Sequence, residues 1–251
     1  MMEHFLIVIP ARLQSFRLKR KPLQDLCGKP LIVRVYENLM PLARSGAQLL
    51  VASDSEEVLA VCREHQIDAV LTRKDHQSGT DRCAEVASGN SRPFVLNVQG
   101  DEPFVKAEDL MNLAMIFKNQ QNVSIATLRY LCHDRKKMMD SNIVKVVSNH
   151  EKKALYFSRA PVPFLRDGQG SASLPFYQHL GVYAYEKSAL LRFCSLPVGE
   201  LEQIEKLEQL RALEHGLSIH LVDATQSGLG VDTEQDLQEA RKIWMKLQGD
   251  P

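Results

Sequence analysis

The sequence has no long apolar run, no excess of one charge and no closely paired cysteines. Its N-terminal apolar run, Phe5–Ile9, is too short for the core of a signal peptide or a membrane span. Lys plus Arg and Asp plus Glu both number 31, so no overall field attracts nucleic acid or an anionic membrane. The five cysteines have no CxxC spacing and an odd count, which is typical of reduced thiols. We therefore expect a cytoplasmic protein with no nucleic-acid or membrane partner.

Several catalytic motifs are also missing. The sequence contains neither HExxH nor another zinc-ligand spacing, neither GxxxxGK[ST] nor GxGxxG. No Ser-His-Asp or Cys-His arrangement can be built from the spacing of its residues. These absences disfavour redox chemistry and catalysis by a covalent nucleophile.

Apolar segments of strand length alternate with segments of helical periodicity. This alternation is typical of a mostly parallel sheet with helices on both faces, so we predict an α/β fold of the Rossmann-like kind. The predicted strands are Phe5–Ile9, Gln48–Ala52, Asp68–Leu71, Phe94–Val98, Ser124–Leu128, Val144–Val147, Leu155–Phe157, Leu180–Tyr185 and Ile219–Val222. The predicted helices are Leu31–Leu42, Glu56–Glu64, Asp81–Ala87, Ala107–Lys118, Glu200–His215 and Thr233–Leu247.

The alternation is interrupted after Lys153 by a segment rich in proline, glycine and aromatic residues. Its weak helical period indicates an inserted β-rich arm at about 153–186. Because no repeat, low-complexity tract or linker divides the chain, we predict a single domain over residues 1–251.

A loop rich in cations follows the first predicted strand and reads IPARLQSFRLKRKPL. Ligands of open α/β sheets bind beyond the carboxyl ends of the strands. Cations at that place suit a polyphosphate, with Lys21 as a point charge and Arg12 and Arg17 as bidentate donors. A solvated basic loop remains an alternative.

Two carboxylates stand at positions that suit a divalent cation. Asp101 follows a predicted strand in VLNVQGDEP, and Asp232 follows two glycines in SGLGVDTEQDL. Mg²⁺ needs few protein oxygens when substrate phosphates supply the others, so a pair that converges could hold it for phosphoryl transfer. The alternatives are an ordinary turn for Asp101 and a helix cap for Asp232, although Thr233 and Asp236 can supply that cap.

The remaining candidates carry weaker signals when taken singly. The segment RKDHQSGTDR could present polar groups to a base or ribose, or could simply begin a helix. A second group could bind a polyhydroxylated acid, and each of its members also has an ordinary structural interpretation. That group consists of Arg159, His179, Glu208 and Gln209.

Ordered motifs along nearly the whole chain resemble one family, the 3-deoxy-manno-octulosonate cytidylyltransferases. The motifs are IPAR, CGKPLI, DHQSGTDR, NVQGDEP, ALYFSRAPVPF, HLGVYAY, EKLEQLRALEHG and GVDTEQDL. The resemblance implies a nucleotidyltransferase that transfers CMP from CTP to the anomeric hydroxyl of 3-deoxy-D-manno-octulosonate (Kdo), a 2-keto-3-deoxy sugar acid, and releases pyrophosphate. It also implies a role in lipopolysaccharide biosynthesis, a cytoplasmic location, and a homodimer formed through the arm.

The resemblance further implies roles for individual residues. Lys21, Asp101 and Asp232 would be catalytic, and the two aspartates would hold Mg²⁺. CTP would bind to Ala11, Arg12, Arg17, Lys21, Gln77, Ser78, Gly79 and Gln99. The sugar acid would bind to Gln99, Arg159, His179, Tyr183, Glu208 and Gln209.

The chain departs from the family in its first loop. The family reads RLPGKPL where this chain has Lys19 and Arg20 in place of proline and glycine. Since proline fixes φ and glycine admits unusual conformations, we expect the shape of the loop to differ. The added charges could tighten triphosphate binding or alter access for the sugar. The alternative functions are the same chemistry on the 8-amino analogue of Kdo and a CTP-binding regulator without turnover.

Overall fold

The structure is a computed structural model that describes residues 1–15, 17–120, 122–164, 166 and 175–248. The described chain divides into two compact units. The first comprises Met1–Leu110 and the residues from Gly228 onward, and the second comprises Met111–Ser227. The single domain inferred from the sequence stays a prediction.

The first unit contains a parallel sheet in the order β3-β2-β1-β4. Strand β1 (Phe5–Ala11) lies between β2 (Gln48–Ser53) and β4 (Phe94–Asn97), and β2 pairs with β3 (Ala69–Leu71). Every residue of β1 is buried, which is the pattern of a strand covered on both faces. The carboxyl ends of these strands therefore share one edge of a covered sheet.

The helices of the first unit follow its strands. The helix α9 (Glu234–Gln248) begins after a capping box, since the backbone N–H of Asp236 donates to Thr233 Oγ1 at 3.1 Å and the Asp236 carboxylate accepts from the backbone N–H of Thr233 at 2.8 Å. No helix within the described ranges is long and apolar enough to cross a membrane. The helices are α1 (Leu31–Arg44), α2 (Glu56–Glu64), α3 (Gly79–Ser88), the first residues of α4 (Ala107–Asn119), and α9 (Glu234–Gln248).

The second unit mixes parallel and antiparallel pairing. Strand β5 (Ile125–Cys132) pairs antiparallel with β8 (Phe176–Glu186) and parallel with β9 (Ile219–Asp223). Strand β6 (Lys145–Ser148) pairs antiparallel with both β7 (Ala154–Ser158) and β8. Its helices, besides the rest of α4, are α5 (Arg135–Met139), α6 (Lys187–Ser195), α7 (Glu200–Glu205) and α8 (Leu210–Glu214).

The predicted α/β class is confirmed, but one predicted helix is wrong. The segment Glu200–His215 is not continuous, because Lys206 adopts a left-handed conformation with φ of 55° and ends α7. A residue in that region cannot extend a right-handed helix. Two short helices, α5 and α6, were not predicted.

The predicted arm at about 153–186 is described in part. Strands β7 and β8 lie within it. Leu165 and residues 167–174 lie outside the described residues. The role of the arm in dimerisation therefore stays a prediction.

Candidate active site

A cleft in the first unit opens beyond the carboxyl ends of β1 and β4. It has a volume of about 290 Å³. Its lining includes most of the residues that the sequence proposed for CTP and metal: Ala11, Arg12, Arg17, Lys21, Gly79, Gln99, Asp101 and Asp232. Residues separated by more than two hundred positions thus meet in one cavity, which spacing alone could not establish.

Lys21 joins the two predicted metal ligands. Its Nζ donates to Asp101 Oδ2 at 2.5 Å and to Asp232 Oδ1 at 2.8 Å, and Arg17 Nη2 lies 3.0 Å from Asp232 Oδ2. Burial disfavours the ammonium form, but the charges and hydrogen bonds of the two carboxylates outweigh this effect and raise the pKa of Lys21 above its ordinary value. The two carboxylates therefore converge on one cation.

Local structure explains why Asp232 is available for this contact. Thr233 and Asp236 cap α9 between themselves, so the Asp232 side chain is not needed as a cap. The backbone N–H of Val231 donates to the carbonyl of Asp101 at 2.8 Å. That hydrogen bond holds the two aspartate-bearing segments side by side.

The turn after β4 depends on a glycine. A Cβ at Gly100 would lie 2.9 Å from the carbonyl oxygen of Pro10, closer than side chains tolerate. Gln99, next to it, donates from Nε2 to Asn97 Oδ1 at 2.9 Å. The glycine thus lets the ends of β1 and β4 approach, and the hydrogen bond fixes the Gln99 amide in the cleft.

The loop before α3 meets the cleft at one position. Gly79 lines the cleft, whereas Gln77 and Ser78 are not among the described residues that do. Ser78 forms a capping box with Asp81, with hydrogen bonds of 3.0 Å in each direction. Gln77 is exposed and donates from Nε2 to the carbonyl of Asp75 at 2.9 Å. The Ser78 hydroxyl therefore serves the helix in this structure.

A further carboxyl group, Glu102, lies beside the pair. Removal from water, followed by the negative charges of Asp101 and Asp232, raises the pKa of Glu102 to about 8. This group is protonated at neutral pH, and its position directly after Asp101 was the only signal of it in the sequence. Among the residues the structure describes, no cluster of three or more His, Cys, Asp or Glu side chains forms a metal site.

In the second unit, His179 and Tyr183 lie together on β8. Their rings are 5.4 Å apart, and His179 Nε2 lies 3.1 Å from Thr127 Oγ1. Burial lowers the pKa of His179 to about 3, so its ring is neutral at physiological pH. Burial, and then the charge of Glu208, raises the pKa of Tyr183 well above its ordinary value.

Two further candidates of the second unit contribute donors. Gln209 precedes α8, and its Nε2 is buried without a hydrogen-bond partner among the described residues. Arg159 follows β7 and donates from Nε to the Glu205 carbonyl at 2.9 Å and from Nη1 to the Ser141 carbonyl at 3.0 Å. A buried donor without a partner, such as Gln209 Nε2, is rare in proteins and calls for an explanation such as a catalytic role or a bound water or ion.

The chain matches a family model, several curated proteins and a solved structure. The model of the cytidylyltransferase family matches residues 6–219. A 3-deoxy-manno-octulosonate cytidylyltransferase of Wolinella succinogenes is 46% identical, covering 95% of this chain and 99% of that protein. One of Neisseria meningitidis is 41% identical, covering 98% and 100%. A solved structure of CMP:2-keto-3-deoxy-manno-octonic acid synthetase complexed with CTP has a TM-score of 0.90 at 36% identity, covering 97% of this chain and 99% of that one.

The fold and the family match define the chain as a nucleotidyltransferase of the cytidylyltransferase class. Within that class, the chain belongs to the family of 3-deoxy-manno-octulosonate cytidylyltransferases. The resemblance found in the sequence motifs is thereby confirmed.

Proposed function

We propose that this enzyme transfers CMP from CTP to the anomeric 2-hydroxyl of Kdo and releases pyrophosphate. The observation that carries the proposal is the meeting of Lys21, Asp101 and Asp232 in one cleft at the ends of parallel strands. That arrangement offers cations for a polyphosphate and carboxylates for a divalent metal in the same cavity. Relatives that are 46% and 41% identical to nearly the whole of this chain carry the name of this activity.

CTP binds in the cleft of the first unit. Arg12, Arg17 and Lys21 meet the triphosphate, the arginines by bidentate hydrogen bonds and the lysine as a point charge. The ribose and cytosine lie on the Gly79 side of the cleft, beside Gln77 and Ser78 in the same loop. In this arrangement Lys21 exchanges a carboxylate oxygen for a phosphate oxygen when nucleotide enters.

The donor set of the cleft fits Mg²⁺. Asp101 and Asp232 supply hard carboxylate oxygens, and a metal that keeps waters and phosphate oxygens needs no more than one or two such groups. When bound between Asp101 and Asp232, Mg²⁺ would offset the negative charge of the triphosphate. The absence of a three-residue cluster among the described side chains is compatible with this kind of site.

The sugar acid binds to the side chains of the second unit. Arg159 meets its carboxylate, because an arginine presents two parallel donors to that group. Glu208 accepts hydrogen bonds from hydroxyl groups, and the buried amide of Gln209 donates to them. His179 takes part as a neutral ring, since its lowered pKa keeps it uncharged.

The reaction is an in-line displacement at the α-phosphorus of CTP. The 2-hydroxyl oxygen forms the new bond to phosphorus, its proton is released, and the bond to the pyrophosphate oxygen breaks. Two anions must meet for this to happen, so catalysis consists mainly of positioning and charge compensation by the chain's cations. The enzyme serves lipopolysaccharide biosynthesis in the cytoplasm as a homodimer.

A product assay tests the proposal. The purified protein is incubated with CTP, Mg²⁺ and one sugar acid at a time, including Kdo, 8-amino-Kdo and N-acetylneuraminate, and products are identified by mass spectrometry. We expect CMP-Kdo and pyrophosphate in equal amounts. Product from 8-amino-Kdo but not from Kdo would show that the analogue is the acceptor substrate. CTP binding without product from any acid would indicate a regulator without turnover.

A further inference from the structure

Arg159 makes hydrogen bonds through both its backbone and its side chain. Its backbone N–H donates to Glu205 Oε2 at 2.9 Å, and its Nε donates to the carbonyl of the same residue at 2.9 Å. Its own carbonyl accepts from Lys145 Nζ at 2.6 Å. Both the backbone and the side chain of Arg159 are therefore fixed by groups distant in the sequence.

Glu205 stands at the centre of this arrangement. Its second carboxylate oxygen accepts from the hydroxyl of Ser158 at 2.6 Å. The carboxylate therefore binds two consecutive residues, Ser158 and Arg159, where β7 ends. Glu205 is also the last residue of α7, directly before the left-handed Lys206. The carbonyl of Glu205, directly before this break, accepts from the guanidinium of Arg159.

The hydrogen bonds with Glu205 do not neutralise the charge of the Arg159 guanidinium. Glu205 offers its carboxylate to the backbone N–H and its neutral carbonyl to the side chain. Within the described part of the chain, no carboxylate forms an ion pair with the Arg159 guanidinium. An arginine that is oriented by carbonyls and keeps its charge is prepared for an anionic ligand.

We infer that Glu205 is a positioning residue, which acts through Arg159 to aim the guanidinium at the carboxylate of the acceptor sugar. This inference rests on the proposed function, in which Arg159 binds that carboxylate. Glu205 itself touches no substrate. Its effect falls on the acid substrate and spares the nucleotide.

Steady-state kinetics of Glu205→Ala test the inference. We expect the KM for Kdo to rise by about ten- to a hundredfold, the range for weakening one charge-assisted contact, while the KM for CTP changes by less than about twofold. Glu205→Gln, which keeps one carbonyl oxygen for the Arg159 N–H, should restore most of the affinity. Ser158→Ala is the matched control, because it removes the hydrogen bond from the Ser158 hydroxyl to the carboxylate and leaves the contacts of the carboxylate with Arg159 and Tyr156.

A double-mutant cycle separates positioning from general support of the fold. In an Arg159→Ala background, Glu205→Ala should have little further effect on the KM for Kdo, because the residue acts through the arginine. Additive effects, or equal rises in both KM values, would overturn the inference. If Glu205→Ala does not fold, Glu205→Asp serves in its place, with a smaller rise in the KM for Kdo expected and an unchanged value contradicting the inference.

The wild-type protein in the same assay distinguishes the two proposals. Wild-type turnover with an unaffected Glu205→Ala variant refutes the positioning role alone. Absence of product from the wild type with any sugar acid refutes the proposed function, and the positioning role with it.

Discussion

Replacing Asp101 by asparagine removes one charge from the cleft and keeps the shape of the side chain. Lys21 Nζ would retain Asp232, at 2.8 Å, and lose its charged partner at 2.5 Å. The side chains of Lys21 and Asp101 are 18% and 22% exposed, so solvent screens the pair in part. We expect the free energy of unfolding to fall by about 1–2 kcal/mol.

The effect on turnover should be much larger than the effect on stability. Under the proposed function Asp101 is one of two protein carboxylates that hold Mg²⁺. Losing one preorganised electrostatic group of this kind lowers kcat by about a hundred- to a thousandfold. Pyrophosphate release measured against Mg²⁺ concentration, at saturating CTP and Kdo, gives kcat, and urea unfolding gives the stability.

Glu234→Gln is the control for Asp101→Asn. It makes the same change of acid to amide at the start of α9, on a side chain that is 64% exposed. This control should keep wild-type turnover and stability. Wild-type turnover in Asp101→Asn at ordinary Mg²⁺ concentrations would remove Asp101 from the metal site and refute the reasoning.

Three other changes test separate parts of the structure. Lys21→Met should raise the KM for CTP by about ten- to a hundredfold and leave the KM for Kdo nearly unchanged, since the ammonium is proposed to bind the triphosphate. Steady-state kinetics with each substrate varied in turn measure both values, and an equal rise in both would contradict this expectation. His179→Gln should flatten the loss of stability on acidification. Because the folded pKa is about 3 and the ordinary value is 6.5, only the unfolded state gains a proton between these values, and wild-type stability falls with decreasing pH by up to about 1.4 kcal/mol per unit. Parallel urea-unfolding profiles of wild type and variant from pH 6.5 to 4.5 would exclude this contribution. Lys206→Gly should raise the free energy of unfolding by about 0.5–1 kcal/mol, because glycine adopts a φ of 55° without strain, and a loss of stability in urea unfolding would disprove the expected relief.

The sequence predicted the regular elements better than their interruptions. Strands such as Phe5–Ile9 are predicted from apolar runs, and in the structure that strand continues for two further residues, to Ala11. The break at Lys206 could not be read in the same way, since the leucine stripe through Leu207, Leu210 and Leu213 has the same period whether the helix is continuous or broken. The left-handed position is occupied by lysine, so the usual glycine signal was missing.

The candidate site shows a similar division. The sequence indicated Asp101 as a carboxylate at a strand end and Asp232 as one after two glycines before the last helix, and it left their meeting open. Their contact with Lys21 depends on how the chain returns from Gly228 to the first unit, which no local pattern contains. Glu205 was missed altogether, because its hydrogen bonds to Ser158 and Arg159 connect residues more than forty positions apart.

The pairing of the loop cations explains how a chain of zero net charge carries a strongly basic loop. Arg17 and Lys21 lie against Asp232 and Asp101, and Arg20 pairs with Glu57. These contacts offset the mutual repulsion of the cations. The Lys21 ammonium has three donors, and the aspartates use two of them, but a triphosphate competes with the aspartates for its single positive charge. The aspartates then need another cation, and this exchange of partners is the physical reason to expect nucleotide and divalent metal to enter the cleft together.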